Sequence, residues 1–158
     1  MNISEATLDD IEPLCDLLAL LFAQEAEFQP DREKQRTALR AILTAPEVGR
    51  ILVWRDAESI RGMANLLFTV STAKGGKVAI LDDFIVHPDY RRNGIGAQLL
   101  DATRALCERE NCHRIALQTD IDNLTAQRLY QRHGYSPSTM LSMILHLKNQ
   151  PNPTPTNP

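Results

Sequence analysis

Arg91, Arg92, Gly94 and Gly96 stand close together in the run His87-Pro-Asp-Tyr-Arg-Arg-Asn-Gly-Ile-Gly-Ala-Gln-Leu-Leu100, and between them they could hold an anion. Guanidinium donors suit the geometry of phosphate oxygens. Glycine has no Cβ, so the backbone at 94 and 96 can approach a phosphate closely and can turn with positive φ at little cost. A helix beginning at this point would add its own contribution. Its first N–H groups have no partner inside the helix, and its aligned peptide dipoles leave partial positive charge at that end. The ligand expected of Arg91, Arg92, Asn93, Gly94, Ile95, Gly96 and Ala97 is a pyrophosphate.

The flanking sequence supplies the elements such a site needs. Before it, Val78-Ala-Ile-Leu-Asp-Asp-Phe-Ile-Val86 is dominated by β-branched and other apolar residues and stops at Pro88, which reads as a buried strand. After it, Ile95, Leu99, Ala102 and Leu106 recur at helical spacing and form one stripe facing a core. A nucleotide P-loop is excluded, because Ala97-Gln98-Leu99 stands where that motif requires Lys and a hydroxyl. A dinucleotide fingerprint fits poorly: Leu99 occupies the place of its third small residue, and His87 to Asn93 intervene between strand and glycines.

What remains is the pattern [RQ]-x-x-G-x-[GA] after a strand, met by Arg91, Gly94 and Gly96. Here the chain resembles the GCN5-related N-acetyltransferases, whose coenzyme A pyrophosphate loop has this form. Further on, past a short strand Arg114–Thr119, comes Asn123-Leu-Thr-Ala126-Gln-Arg-Leu129-Tyr130-Gln-Arg-His-Gly134-Tyr135. It is similar to the second motif of that family, N-x-x-A-x-x-[LF]-Y-x-x-x-G-[FY]. Both motifs occur in order, and the resemblance extends more loosely over residues 1–147.

The resemblance implies an α+β fold, a mixed and mostly antiparallel sheet splayed in the middle and flanked by helices, and an acetyl-CoA-dependent transfer to a primary amine. A lysine-like amine with a pKa near 10.4 is neutral only about once in a few thousand at pH 7, a deficit of roughly 4.6 kcal/mol, so a proton acceptor is useful. Asp82 is matched to the family's carboxylate base, with Asp83 as the alternative; in a regular strand the two face opposite sides. Asn123, Ala126 and Tyr130 share one helical face by spacing. By resemblance Tyr130 donates a proton to the leaving thiolate and Asn123 bonds the cofactor arm. Backbone N–H groups at Phe84, Ile85 and Val86 are implied to bind the thioester carbonyl and the pantetheine amides. Glu25, Glu27 and Phe28 fall where the family forms its acceptor wall, the two acids suiting a cationic amine, although a solvated helix end explains them too. Arg92-Asn93 departs from the family's frequent Gly after the first Arg. Related domains are commonly dimers, so a homodimer is possible.

With 158 residues and 43% hydrophobic content the chain suits one domain, expected over 1–148. A net charge of −3 without a basic run argues against a nucleic-acid binder. No apolar stretch reaches a membrane span and no signal segment is legible, so a cytoplasmic protein is expected. Cys15, Cys107 and Cys112 form neither a paired framework nor a zinc pattern, and no metal is expected.

Ile11, Leu14, Leu18 and Leu21 predict a first helix capped at Asp9 or Asp10, and Asp31 a second through about Ala45. Arg50–Arg55 and Ile60–Val70 read as a hairpin with a bulge near Gly62. Leu141, Met143, Leu145 and Leu147 alternate as a final strand, and the proline-rich tail 149–158 is expected to be disordered. The competing readings are a catalytically silent acyl-CoA-binding module, which Tyr130 and the acidic pair argue against, and a nucleic-acid-binding domain.

Overall fold

The computed structural model describes residues 2–25, 30–57 and 59–147. The expected tail, with Glu27 and Phe28, lies outside the described residues. Five strands form one sheet in the order β1 (Ile3–Glu5), β2 (Gly49–Asp56), β3 (Ser59–Ser71), β4 (Gly76–Val86) and β5 (Ile115–Leu117). The first four pair antiparallel and β4 pairs parallel with β5. The helices are α1 (Ile11–Gln24), α2 (Arg32–Leu43), α3 (Ile95–Arg109) and α4 (Leu124–Arg132).

Each face of the sheet carries its own core, as the period of two along a strand requires. Ile51, Val53, Met63 and Ile85 point to one side and pack with Leu14, Leu17 and Leu18 of α1 and Leu39 of α2. Leu52, Ala64, Leu66, Ala79 and Leu81 point to the other and pack with Ile95, Leu99, Leu106 and Tyr130. The α1 entrance follows its sequence: the Asp10 carboxylate accepts from the Thr7 N–H at 2.8 Å and is gripped by Arg55 at 2.7 and 3.1 Å. Asp31 caps α2 by accepting from the Lys34 N–H at 3.2 Å.

Two bulges interrupt the ladders. On β3, Arg61 is the extra residue, since Trp54 faces Gly62 and Arg55 faces Ile60; the bulge thus falls beside the glycine that signalled it. On β4 the extra residue is Asp82, since Asn65 faces Asp83 and Leu66 faces Leu81. Pairing of β4 with β5 spans only Ala79–Leu81 against Ile115–Leu117 and ends at that bulge. A bulge bends its strand and raises the local twist, and here the two parallel strands diverge beyond it.

The expected final strand is corrected. Leu141 to Leu147 form no strand, and Leu141, Met143 and Leu145 are more than four-fifths exposed. Alternation sets the pleat of a segment but does not supply a partner for its backbone, and no described strand pairs with this one.

Candidate active site

β4 has one neighbour beyond its bulge. β3 stays paired with it from Asn65 opposite Asp83 to Gly62 opposite Val86, while β5 has parted. Backbone groups on the free side of Asp82–Val86 therefore point into an opening instead of a strand. The Val86 carbonyl is taken: Arg91 Nε donates to it at 3.1 Å, and Arg91 Nη2 donates to Gln24 Oε1 at 3.2 Å. Arg91 thus ties the loop to the end of α1 and keeps its other donors for a ligand.

The loop rises from β4 through a 3-10 turn at Pro88–Tyr90, where His87 Nδ1 accepts from the Asp89 N–H at 3.3 Å. The Arg61 guanidinium stacks on Tyr90 at 4.7 Å. Asn93 Nδ2 donates to the Tyr90 carbonyl at 3.2 Å. Arg92 and Gly94 both have positive φ, 63° and 76°; the second is the natural place for glycine. Gly94 is the residue before α3. No side chain caps that helix and no acid stands in its first turn, so its leading N–H groups keep their capacity for an anion. Ile95 is buried and anchors the turn, while Arg91 to Gly94 lie at the surface. At Gly96 a Cβ would come within 3.1 Å of Leu129 and 3.7 Å of Phe84, so the loop, β4 and α4 meet closely here.

α4 is placed by its own sequence. Asn123 Oδ1 accepts from the Ala126 N–H at 3.2 Å, a cap that leaves its Nδ2 donors unspent. At the other end Gly134, with φ 89°, terminates the helix. The Tyr135 N–H reaches back to the Tyr130 carbonyl at 3.1 Å and the Gly134 N–H to Gln131 at 3.0 Å, a Schellman closure. The second motif's Gly-Tyr ending is this closure, and it brings the Tyr135 ring to 5.9 Å from Tyr130. Tyr130 in turn meets Phe84 edge-on at 5.8 Å.

Tyr130 is buried. Burial pushes its phenol up to about 12, with smaller upward pushes from Tyr135 and the Glu25 carboxylate. Glu25 directly follows α1, which packs on the opposite face of the sheet.

Asp83 shares the α1 side of β4 with Ile85, two residues on, and is half-buried. Asn65 Nδ2 donates to its Oδ2 at 2.8 Å. Burial raises the carboxyl from 3.8 to about 6, the Asn65 bond pulling it down and neighbouring Asp82 pushing it up. Asn65 Oδ1 is buried without a partner, so rotation of that amide would offer an acceptor to Asp83 in its protonated form. Asp82, on the bulge, is exposed at the surface, and its carboxyl is also raised by desolvation.

The structure brings Asp82, Asp83, Phe84, Ile85 and Val86 to one open strand edge, with Tyr130 and Ala126 on the helix beside it and the 91–97 loop at its end. Asn65 was missed from sequence, and its signal was a lone amide inside the apolar run Ile60–Val70. Among the described residues no group of three or more His, Cys, Asp or Glu could hold a metal ion, and no helix is long and apolar enough to cross a membrane.

Comparison with known proteins bears on the same architecture. The chain is similar to an uncharacterized N-acetyltransferase, YhfO, of Bacillus subtilis, 30% identical over 142 residues that cover 88% of this chain and 92% of that protein. In fold it is similar to a ribosomal-protein-alanine N-acetyltransferase of Brucella melitensis, at 19% identity and TM-score 0.75 over 92% of this chain and 97% of the other. It is equally similar to an aminoglycoside 6'-N-acetyltransferase of Acinetobacter haemolyticus, at 15% identity and TM-score 0.75 over 93% and 99%. Residues 12–135 match the profile of the acetyltransferase (GNAT) family, and the chain belongs to that family of N-acetyltransferases, which act on amine acceptors.

Proposed function

We propose that this acetyltransferase uses acetyl-CoA, held at the open edge of β4 and the start of α3, and acetylates a primary amine of a small molecule or peptide by direct transfer. The observation that carries this reading is that Asp83 and Tyr130 lie on opposite faces of β4 at the place where β5 leaves it. The residues fit an acyl-CoA. The uncapped, acid-free first turn of α3 suits its pyrophosphate, and the absent Cβ at Gly96 keeps that turn close to Phe84 and Leu129. Arg91, Arg92, Asn93, Gly94, Ile95, Gly96 and Ala97 would hold the phosphates, and Asn123 and Ala126 would border the arm. When bound, acetyl-CoA supplies an acyl carbon open to attack and a thiol that leaves.

The protein's own groups divide the remaining work. Asp83, with a carboxyl at about 6, is ionised near neutral pH yet basic enough to accept a proton from the incoming ammonium; Asp82 is the second carboxylate available on the same edge. Free N–H groups at Phe84 and Val86, whose backbone turns away from β3, would donate to the oxygen on which negative charge develops, whereas the Ile85 N–H faces β3. Tyr130, at about 12, keeps its proton on Oη at neutral pH and offers it to the departing sulfur. An ordinary thiol titrates near 8.5. The phenol therefore stabilises the thiolate chiefly as a hydrogen-bond donor. Glu25 stands near enough to Tyr130 to favour a cationic acceptor, and Glu27 and Phe28 would extend that wall. The unbridged Cys15, Cys107 and Cys112 fit a reducing compartment, the cytoplasm.

An amine panel tests the proposal: release of free thiol from acetyl-CoA is followed alongside the mass of the product. Thiol release matched by a single N-acetylated product is the expected outcome. Binding of acetyl-CoA without turnover on any amine would contradict it.

A further inference from the structure

Between β4 and α3 the backbone takes a shape that something must hold. Arg92 has φ 63° and Gly94 φ 76°. Glycine adopts that conformation freely, but an arginine keeps it only where its surroundings over-determine it. Buried Ile95 fixes the far side of this loop. What holds the near side lies outside the motif, at the end of the β2–β3 hairpin where Asp56 pairs with Ser59.

Arg61 is the extra residue of the β3 bulge, and a bulge re-aims the side chain it carries. The Arg61 carbonyl still accepts from the His87 N–H at 2.7 Å, so the backbone remains tied to the foot of the loop. Its Nε donates to both carboxylate oxygens of Asp56 at 3.2 Å, and its guanidinium lies over the Tyr90 ring at 4.7 Å. Tyr90 closes the triangle. Its hydroxyl donates to the same Asp56 carboxylate, and that bond, with the one from Arg61, holds the Asp56 carboxyl below its usual range. Tyr90 also passes the hold onward, because its carbonyl accepts from Asn93 Nδ2 at 3.2 Å, one residue before Gly94. The same hairpin grips the start of α3. A Cβ at Gly62 would come within 3.3 Å of Ile95 and 3.0 Å of Leu99, and Trp54 Nε1 donates to Gln98 Oε1 at 3.1 Å.

We propose that Asp56, Arg61 and Tyr90 form a clamp that sets the 91–97 loop in its anion-binding shape before the acyl donor arrives. The proposal rests on the reading that this loop holds the pyrophosphate of acetyl-CoA. All three are positioning residues. The Arg61 charge is matched by Asp56, so the clamp contributes order instead of attraction, and a loop ordered in advance lowers the cost of binding. The two kinds of contribution differ in sign on one substitution. Asp56→Asn leaves Arg61 unmatched beside the loop, which would tighten the hold on a phosphate if Arg61 acted by charge and weakens it if Arg61 acts through Tyr90.

Two measurements on the full chain test this: calorimetric affinity for acetyl-CoA, and amide order parameters of the ligand-free protein by NMR relaxation. Asp56→Asn, Arg61→Met and Tyr90→Leu should each weaken binding roughly tenfold, and the Arg61→Met/Tyr90→Leu double variant should be no weaker than the worse single, as members of one network are not additive. Tyr90→Phe, which keeps the ring under the guanidinium, should lose less. The loss should appear in KM and not in kcat. Without ligand, the order parameters of Arg91–Gly94 should fall from about 0.85 to below about 0.6 in Arg61→Met, with β2 and β3 still rigid, which shows that the fold survives. Tighter binding in Asp56→Asn, additive losses in the double variant, or an equally ordered loop in Arg61→Met would each overturn the clamp. A wild-type chain that binds no acetyl-CoA would instead overturn the reading beneath it, and the order parameters still report on the clamp in that case.

Discussion

The two sides of β4 are built on different terms. Toward β3 it is paired along its whole length, from Gly76 opposite Ser71 to Val86 opposite Gly62, with one bulge absorbed on the way. Toward β5 it is paired over three residues and then released. The closed side holds the molecule together, and the open side is where unspent backbone groups, a raised carboxyl and a buried phenol converge. Asp82 joins the two, because the extra residue that shifts the β3 register stands directly after the last β4 residue paired with β5.

That contrast can be broken first on its closed side. Leu66 is fully buried, and Leu66→Ala should cost about 2–5 kcal/mol of stability while the folded fraction keeps its turnover. Denaturant unfolding beside a rate assay reads both. On the open side the expectation reverses: Tyr130→Phe should lower turnover roughly 100-fold, about 2.7 kcal/mol, with acetyl-CoA affinity unchanged by calorimetry.

Asp83→Asn should lower turnover at neutral pH by a similar factor and abolish the rise in rate across pH 6. It should also stabilise the fold in alkali. With the carboxyl raised from 3.8 to about 6 in the folded state, the folded protein keeps a proton that the unfolded chain has released. Stability is therefore full below the lower value and falls as pH rises through the higher one, by up to ~3 kcal/mol. Urea midpoints at acid and alkaline pH, compared between wild type and variant, check the sign.

Smaller effects sharpen the picture. Gly96→Val sets a branched side chain against Leu129 and Phe84 and should weaken acetyl-CoA binding about tenfold, or 1.4 kcal/mol, with turnover at saturation less affected. Asn65→Ala removes the hydrogen bond that holds the Asp83 carboxyl down, so the pH–rate profile should move to higher pH. A shift to lower pH would mean that Asn65 does not act on the base.

The parts legible from sequence were those that local geometry dictates. Gly94 reads as a positive-φ turn before a helix and Asp31 as the start of the second helix, because each follows from what one residue type allows its backbone, whereas Asn123 as a cap and Gly134-Tyr135 as a helix end came from the structure. The bulge at Asp82 was not legible. One extra residue leaves no mark in an apolar run, and the reading that Asp82 and Asp83 face opposite sides rests on a regular pleat that the bulge interrupts. Asn65 acquires its role only through that register. The pattern of Leu141–Leu147 was visible as alternation, but whether a strand finds a partner depends on surfaces distant in sequence.

Amide chemical-shift mapping with acetyl-CoA tests the open edge most directly. Titration into labelled protein should move the amides of Asn93–Ala97 and of Phe84–Val86 together, and leave β2 and the β3–β4 hairpin end at Ser71–Gly76 in place. Shifts confined to the far end of α3, around Arg109, with the 93–97 amides unmoved, would contradict the assignment of the open side of β4 as the place where the acyl donor is held.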